Sequence, residues 1–237
     1  SYCAETFDEK TAFNFLQKKE EIKISYRDFF NDIVALSAFF INKGLSRTHI
    51  GLIGENSYNW LLTYFAVVNS NNVIVPIDKE LEADDIEYLL RDSDCKAIFY
   101  SNTYYDIIDE LKERNIEGLK FINLRKLSKH IEEGREAISE GYREYLDAEV
   151  KKDDLASIVY TSGTTGRSKG VMLTHGNFCA SMYGACCNAD LTGSTLLVLP
   201  LHHTFGLTAS IYAVMFYGNP ICINKSLRNL ASDFKKY

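Results

Sequence analysis

No stretch of this sequence approaches membrane-spanning length in unbroken apolar residues, and no secretory pattern stands at Ser1, so the chain reads as soluble and cytoplasmic. Six cysteines, Cys3, Cys95, Cys179, Cys186, Cys187 and Cys222, have no metal-ligand spacing and sit mostly in apolar contexts. They are expected to be buried free thiols, with no metal held by cysteine. The G-x-x-x-x-G-K-[ST] spacing of the P-loop is missing, because Gly163 and Gly166 stand too close together and Gly170 follows Lys169. The dinucleotide fingerprint G-x-G-x-x-G is missing too, and nothing resembles a basic nucleic-acid patch. Acidic residues are also scarce in one half. Residues 1–152 carry 20 basic and 28 acidic side chains, a balance of −8, whereas 153–237 carry 6 and 4, a balance of +2. Between Leu155 and Ser232 the only acid is Asp190, against Arg167, Lys169, Lys225 and Arg228. That region tolerates anions, or is simply more buried.

The stretch present where acids are scarce is Ala156 to Asn177, in which a polar, glycine-rich loop interrupts two apolar runs. The ten residues from Thr161 to Gly170 are five hydroxyl residues, three glycines, Arg167 and Lys169. Glycine lets backbone N–H groups turn toward a ligand, hydroxyls donate further hydrogen bonds, and lysine supplies a mobile charge. A polyphosphate uses all three. A solvated surface hairpin has a similar composition, so the composition leaves both readings open. The flanks, Ala156 to Tyr160 and Val171 to Thr174, predict strand, long loop, strand.

Elsewhere the pattern is alternation. Ser25 to Asp28 is a capping-box-like start for a helix that keeps apolar spacing through Phe29, Ile33, Leu36 and Phe40 to Gly44. Strands follow at 49–53, 72–77, 96–100 and 120–124, with helices at 60–68, 83–91 and 105–114 between them. Such alternation predicts an α/β fold with a largely parallel sheet covered on both faces. Residues 127–146 read as an exposed amphipathic helix, or a pair, broken by Gly134 and Gly141. After a helix from Asn177 to about Asn188, residues 195–224 repeat the strand, polar turn, apolar helix, strand order of residues 48–77. This predicts two similarly built units in layered sheets flanked by helices, with a first subdomain over 1–150 and a second over 151–237. In that register Asn56 aligns with His203. The adjacent histidines, His202 and His203, read as a metal pair, a general base or a polar turn, and the lack of a third clustered ligand counts against the metal.

Spacing selects among phosphate sites. Tyr160 to Gly166, then Lys169-Gly170 and Thr174-His175, closely resemble the signature of the adenylate-forming enzymes, the superfamily of acyl-CoA synthetases, aryl-CoA ligases and peptide-synthetase adenylation domains. One departure is Ser168, where that family usually has proline. Glu55-Asn56-Ser57 with Trp60, and Pro76-Ile77-Asp78, extend the resemblance over most of the chain. The turn Pro200 to Gly206 is similar to the family's second motif, whose aromatic or histidine residues line the acyl and adenylate pocket.

The resemblance implies a fold, a site and a reaction. The fold is the N-terminal large domain of the family, incomplete, with the small C-terminal domain and later motifs absent. Thr161, Ser162, Gly163, Thr164, Thr165, Gly166 and Lys169 would hold the ATP phosphates, with Mg²⁺ offsetting charge. His203 would contact the reacting carboxylate or α-phosphate as the catalytic residue. His202, His203, Phe205 and Gly206 would line the substrate side. A carboxylate and ATP would give an acyl-adenylate and pyrophosphate, and CoA would then displace AMP. The apolar helix after Gly206 looks most like fatty-acyl-CoA ligases. An aryl-CoA ligase, a peptide-synthetase domain or a non-catalytic ligand-binding relative remain alternatives. The chain is expected to be part of a protein roughly twice as long, to bind ATP weakly by itself and not to complete adenylation.

Overall fold

Short β-branched and apolar strands separated by helices bury both sheet faces only if the strands lie side by side and the helices cover them. The computed structural model describes residues 2–18, 20–143, 149–161, 167–188, 191–224, 230 and 233. In chain order its elements are α1 (Tyr2–Phe7), β1 (Thr11–Gln17), β2 (Glu20–Ser25), α2 (Tyr26–Asn42), β3 (His49–Ile53), α3 (Tyr58–Asn69), β4 (Val73–Pro76), α4 (Ala83–Asp92), β5 (Cys95–Tyr100), α5 (Tyr105–Glu113), β6 (Lys120–Asn123) and α6 (Leu127–Ser139). Then come β7 (Leu155–Thr161), β8 (Lys169–Thr174), α7 (His175–Asn188), β9 (Thr195–Leu197), α8 (Thr204–Leu207), a π-turn (Thr208–Tyr212), α9 (Ala213–Phe216) and β10 (Ile221–Ile223). Among the described residues no helix is long and apolar enough to cross a membrane.

Contacts divide the chain into two units. One comprises Ile33–Glu55 and Asn59–Gly176, and the other Ser1–Asp32, Asn56–Tyr58 and Asn177–Tyr237. The division expected at 150/151 differs from this one. Strands β7 and β8 join the sheet of the preceding residues, since Ser157 pairs with Ile74, and the N-terminal strands join residues 195–223.

The first unit holds a six-stranded sheet in the order β6-β5-β3-β4-β7-β8. All pairs are parallel except β7 with β8, an antiparallel hairpin at the edge. Helix α3 buries every residue from Trp60 to Val68, as expected of a helix that is apolar on all sides. Helix α2 ends where Gly44 takes a φ of +72° and Leu45 N–H donates back to Phe40 O at 2.9 Å. Helix α6 departs from expectation. Gly134 does not break it, because a Cβ there would stand 1.9 Å from the Ala35 carbonyl oxygen, so the glycine lets α6 lie directly on α2. The His130 ring stacks on Phe39 with centroids 4.4 Å apart. This is a packed helix ending at Ser139, and Tyr145 lies outside the described residues.

The second unit holds a four-stranded sheet in the order β2-β1-β10-β9. The Ser25 hydroxyl accepts from Asp28 N–H at 3.0 Å and donates to the Asp28 carboxylate at 2.8 Å, which starts α2 as the sequence predicts. Strands β9 and β10 pair in parallel, as β3 and β4 do in the other sheet, so the two strand-helix-strand units expected from the repeat are present in separate sheets. The helix between β9 and β10 is not regular, because the π-turn interrupts it at Thr208–Tyr212. The cysteine expectation holds only in part. All six thiols are free, but only Cys95 and Cys222 are buried, and Cys179 and Cys187 are exposed on α7.

Candidate functional site

The polar loop of Thr161 to Gly170 is the connection of the β7–β8 hairpin. Its register puts Thr161 opposite Lys169 and Tyr160 opposite Gly170. Thr161 and Lys169 are both exposed, one where the chain enters the loop and the other where it leaves. Five of the expected phosphate contacts, Ser162, Gly163, Thr164, Thr165 and Gly166, lie outside the described residues.

Helix α4 holds both shoulders of this loop. On the entry side, the Tyr160 hydroxyl donates to the Asp92 carboxylate at 2.6 Å. Burial, reinforced by that carboxylate, raises the Tyr160 phenol well above its ordinary range, so it stays a donor. On the exit side, the Tyr88 hydroxyl donates to the Ser168 carbonyl at 3.3 Å, and the Arg167 guanidinium lies 5.0 Å from the Tyr88 ring centroid. Tyr88 and Asp92 are one helical turn apart, so one face of α4 meets both ends of the loop.

The strand after the loop runs into α7 at Thr174-His175. The His175 and Gly176 N–H groups donate to the carbonyls of Asp154 and Lys152 at 3.1 and 2.7 Å. Burial lowers the His175 imidazole below the usual histidine range, and Asp154 acts in the opposite direction. The charged connector after residue 149 thereby seats the hairpin's far end. A separate cavity of about 500 Å³, lined by Arg47, Asn71, Val73, Glu149, Lys151, Asp154 and Leu155, opens at the amino ends of β3, β4 and β7. The hairpin loop leaves β7 at its carboxyl end.

In the other unit, the turn from Pro200 to Gly206 links β9 to α8. Asn56 holds it at two points, donating from Nδ2 to the Leu199 carbonyl at 2.8 Å and accepting at Oδ1 from Leu201 N–H at 3.2 Å. The amide thus brackets Pro200, which has no N–H of its own. Gly206 is buried, and a Cβ there would stand 2.5 Å from the Pro200 carbonyl oxygen. His203 precedes the first residue of α8 in extended geometry, with φ −87° and ψ 131°, and accepts from Leu207 N–H at 3.2 Å. The His202 and His203 rings lie 4.2 Å apart. His203 is exposed, His202 half-buried, and Phe205 is 72% exposed although it is a large apolar side chain. Among the described residues no three His, Cys, Asp or Glu side chains cluster as metal ligands.

The structure therefore brings Thr161 and Lys169 together on one hairpin, and His202, His203, Phe205 and Gly206 on one turn. Tyr88, Asp92 and Asn56 were not singled out from sequence as supports of these segments. The one-turn spacing of Tyr88 and Asp92 on a helix face was a readable signal, but their partners more than sixty residues away were not.

The comparisons with known proteins agree with this architecture. A mitochondrial medium-chain acyl-CoA ligase of Danio rerio is 26% identical over 253 residues, which cover 92% of this chain and 40% of the relative. Tyrocidine synthase 1 of Brevibacillus parabrevis is 28% identical over 182 residues, 73% of this chain and 14% of the relative. The O-succinylbenzoate coenzyme A synthetase of Bacillus subtilis, in complex with AMP, has the same fold, with a TM-score of 0.80 at 18% identity over 99% of this chain and 58% of that one. The chain thus spans less than half the length of the curated relatives it matches. The family model of AMP-binding enzymes matches residues 2–237, and the chain belongs to that family.

Proposed function

We propose that the protein carrying this chain is an ATP-dependent acid–thiol ligase that activates a carboxylic acid, in the first instance a fatty acid, and passes it to CoA. The observation that carries this reading is the hairpin, which sets Lys169 opposite Thr161 at the two shoulders of a glycine- and hydroxyl-rich loop, with α4 bracing both. A mobile ammonium at the exit and hydroxyl donors at the entry suit the β- and γ-phosphates.

In the first half-reaction a carboxylate oxygen bonds to the ATP α-phosphorus, the bond to the bridging oxygen breaks, and pyrophosphate leaves. Thr161, Ser162, Gly163, Thr164, Thr165, Gly166 and Lys169 bind the departing phosphates and offset their charge. In the second, the CoA sulfur bonds to the acyl carbon, the thiol loses its proton, and AMP leaves. His203, exposed on the bracketed turn, contacts the reacting carboxylate or α-phosphate, while His202, Phe205 and Gly206 line the acyl side. Catalysis by these residues is positioning plus electrostatics. The Thr161 hydroxyl is a hard oxygen donor of the kind Mg²⁺ accepts, but among the described residues no cluster of three carboxylates stands with it, so the ion would ride mainly on the phosphates. When bound it neutralises phosphate charge.

The test is carboxylate-dependent pyrophosphate–ATP exchange by the whole protein over a panel of fatty, aryl and amino acids. Lys169→Ala should slow exchange about a hundredfold, the scale of losing one charge-stabilising group. No exchange with any acid, or an unaffected Lys169→Ala, would overturn the reading.

A further inference from the structure

Ser168 stands at the exit of the loop, just before β8. It has two soft backbone dihedrals where a proline would have one fixed, and its N–H donates to no described residue. The ladder of β8 begins only at Lys169. Without further restraint the loop exit would sample many conformations, and ordering them on binding costs affinity. Tyr88 supplies restraint from outside the hairpin. Its hydroxyl holds the Ser168 carbonyl, its ring lies beneath the Arg167 guanidinium, and its edge meets the Tyr160 ring with centroids 6.5 Å apart. No described carboxylate competes for Arg167.

We propose that Tyr88 is a positioning residue for the phosphate loop, fixing Arg167 and Ser168 in place so that Lys169 is presented in one orientation. It acts through those neighbours and touches no substrate. The proposal rests on the functional reading above, but half of its test does not.

That half is limited trypsin cleavage after Arg167 in the native protein. Tyr88→Phe removes one oxygen and keeps the ring, and should speed cleavage about threefold, whereas Tyr88→Ala also removes the cation–π contact and should speed it about tenfold. Unchanged cleavage in Tyr88→Phe overturns the proposal, and this variant serves even if Tyr88→Ala fails to fold. The other half is kinetic. Tyr88→Phe should raise KM for ATP about threefold, the worth of one hydrogen bond, with kcat and the acid KM unchanged. Adding Ser168→Pro should restore it, because the ring replaces the lost restraint. Failure of the proline to restore KM overturns the positioning role. If the wild-type protein shows no nucleotide-dependent activity, the functional reading fails, and the cleavage result alone decides the role of Tyr88.

Discussion

The two strand-helix-strand units share an order of elements and a parallel pairing but occupy opposite situations. In the first, β3 and β4 lie inside a six-stranded sheet, and α3 between them is buried along nine consecutive residues. In the second, β9 is an edge strand, the helix is interrupted by a π-turn, and the connecting turn exposes His203 and Phe205. The same local plan has been used once to fill a core and once to display side chains. The difference lies in the neighbours and in the polar turn, since strand pairing is alike in both. The π-turn belongs to the displaying copy, where it aims side chains that a regular helix would place elsewhere.

The comparison breaks at its strongest point if Trp60 is removed. It is fully buried and stacked on Tyr64, with centroids 5.6 Å apart. Trp60→Ala should cost about 4 kcal/mol, read as a lower denaturant midpoint. A smaller effect comes from Asn56, which follows β3 in sequence but belongs to the same unit as the turn after β9 and holds that turn. Asn56→Ala leaves the Leu201 N–H and Leu199 carbonyl without their partner and should cost about 2 kcal/mol. A denaturation curve as stable as wild type would show that the bracket contributes nothing. The smallest effect on stability belongs to Phe205. Phe205→Ala should move stability by less than about 0.5 kcal/mol, yet raise KM for an apolar acid about tenfold, the worth of one lost apolar contact. A large fall in melting temperature would mean that the second copy is core like the first.

Much of this was legible in the sequence because it is local. The capping pair Ser25 and Asp28, the all-apolar run Trp60 to Val68, and the two short runs flanking the polar loop each predict their element from a few adjacent residues. The errors are non-local. Gly134 reads as a helix breaker until the Ala35 carbonyl is found against it, and a cysteine in an apolar stretch reads as buried until α7 is seen to bury only Phe178. The β1–β2 hairpin went unread, because a strand such as Ala12 to Leu16 has a recognisable period only once its partner is known. At the site, residue types pointed to Lys169 and His203, whereas Tyr88, Asp92 and Asn56 act through partners distant in sequence.

The pairing of β1 with β10, which sets Phe13 opposite Ile221, also bears on synthesis. The six-stranded sheet draws only on residues 49–174, so it can assemble while later residues are still on the ribosome. Strand β1, made before its parallel neighbour β10, must wait about 200 residues for it, and closing so long a loop is a slow step. Until then its hairpin with β2 and the rings of Phe29 and Tyr58 shield it, but the edge that will meet β10 stays unpaired and open to mispairing or chaperone capture.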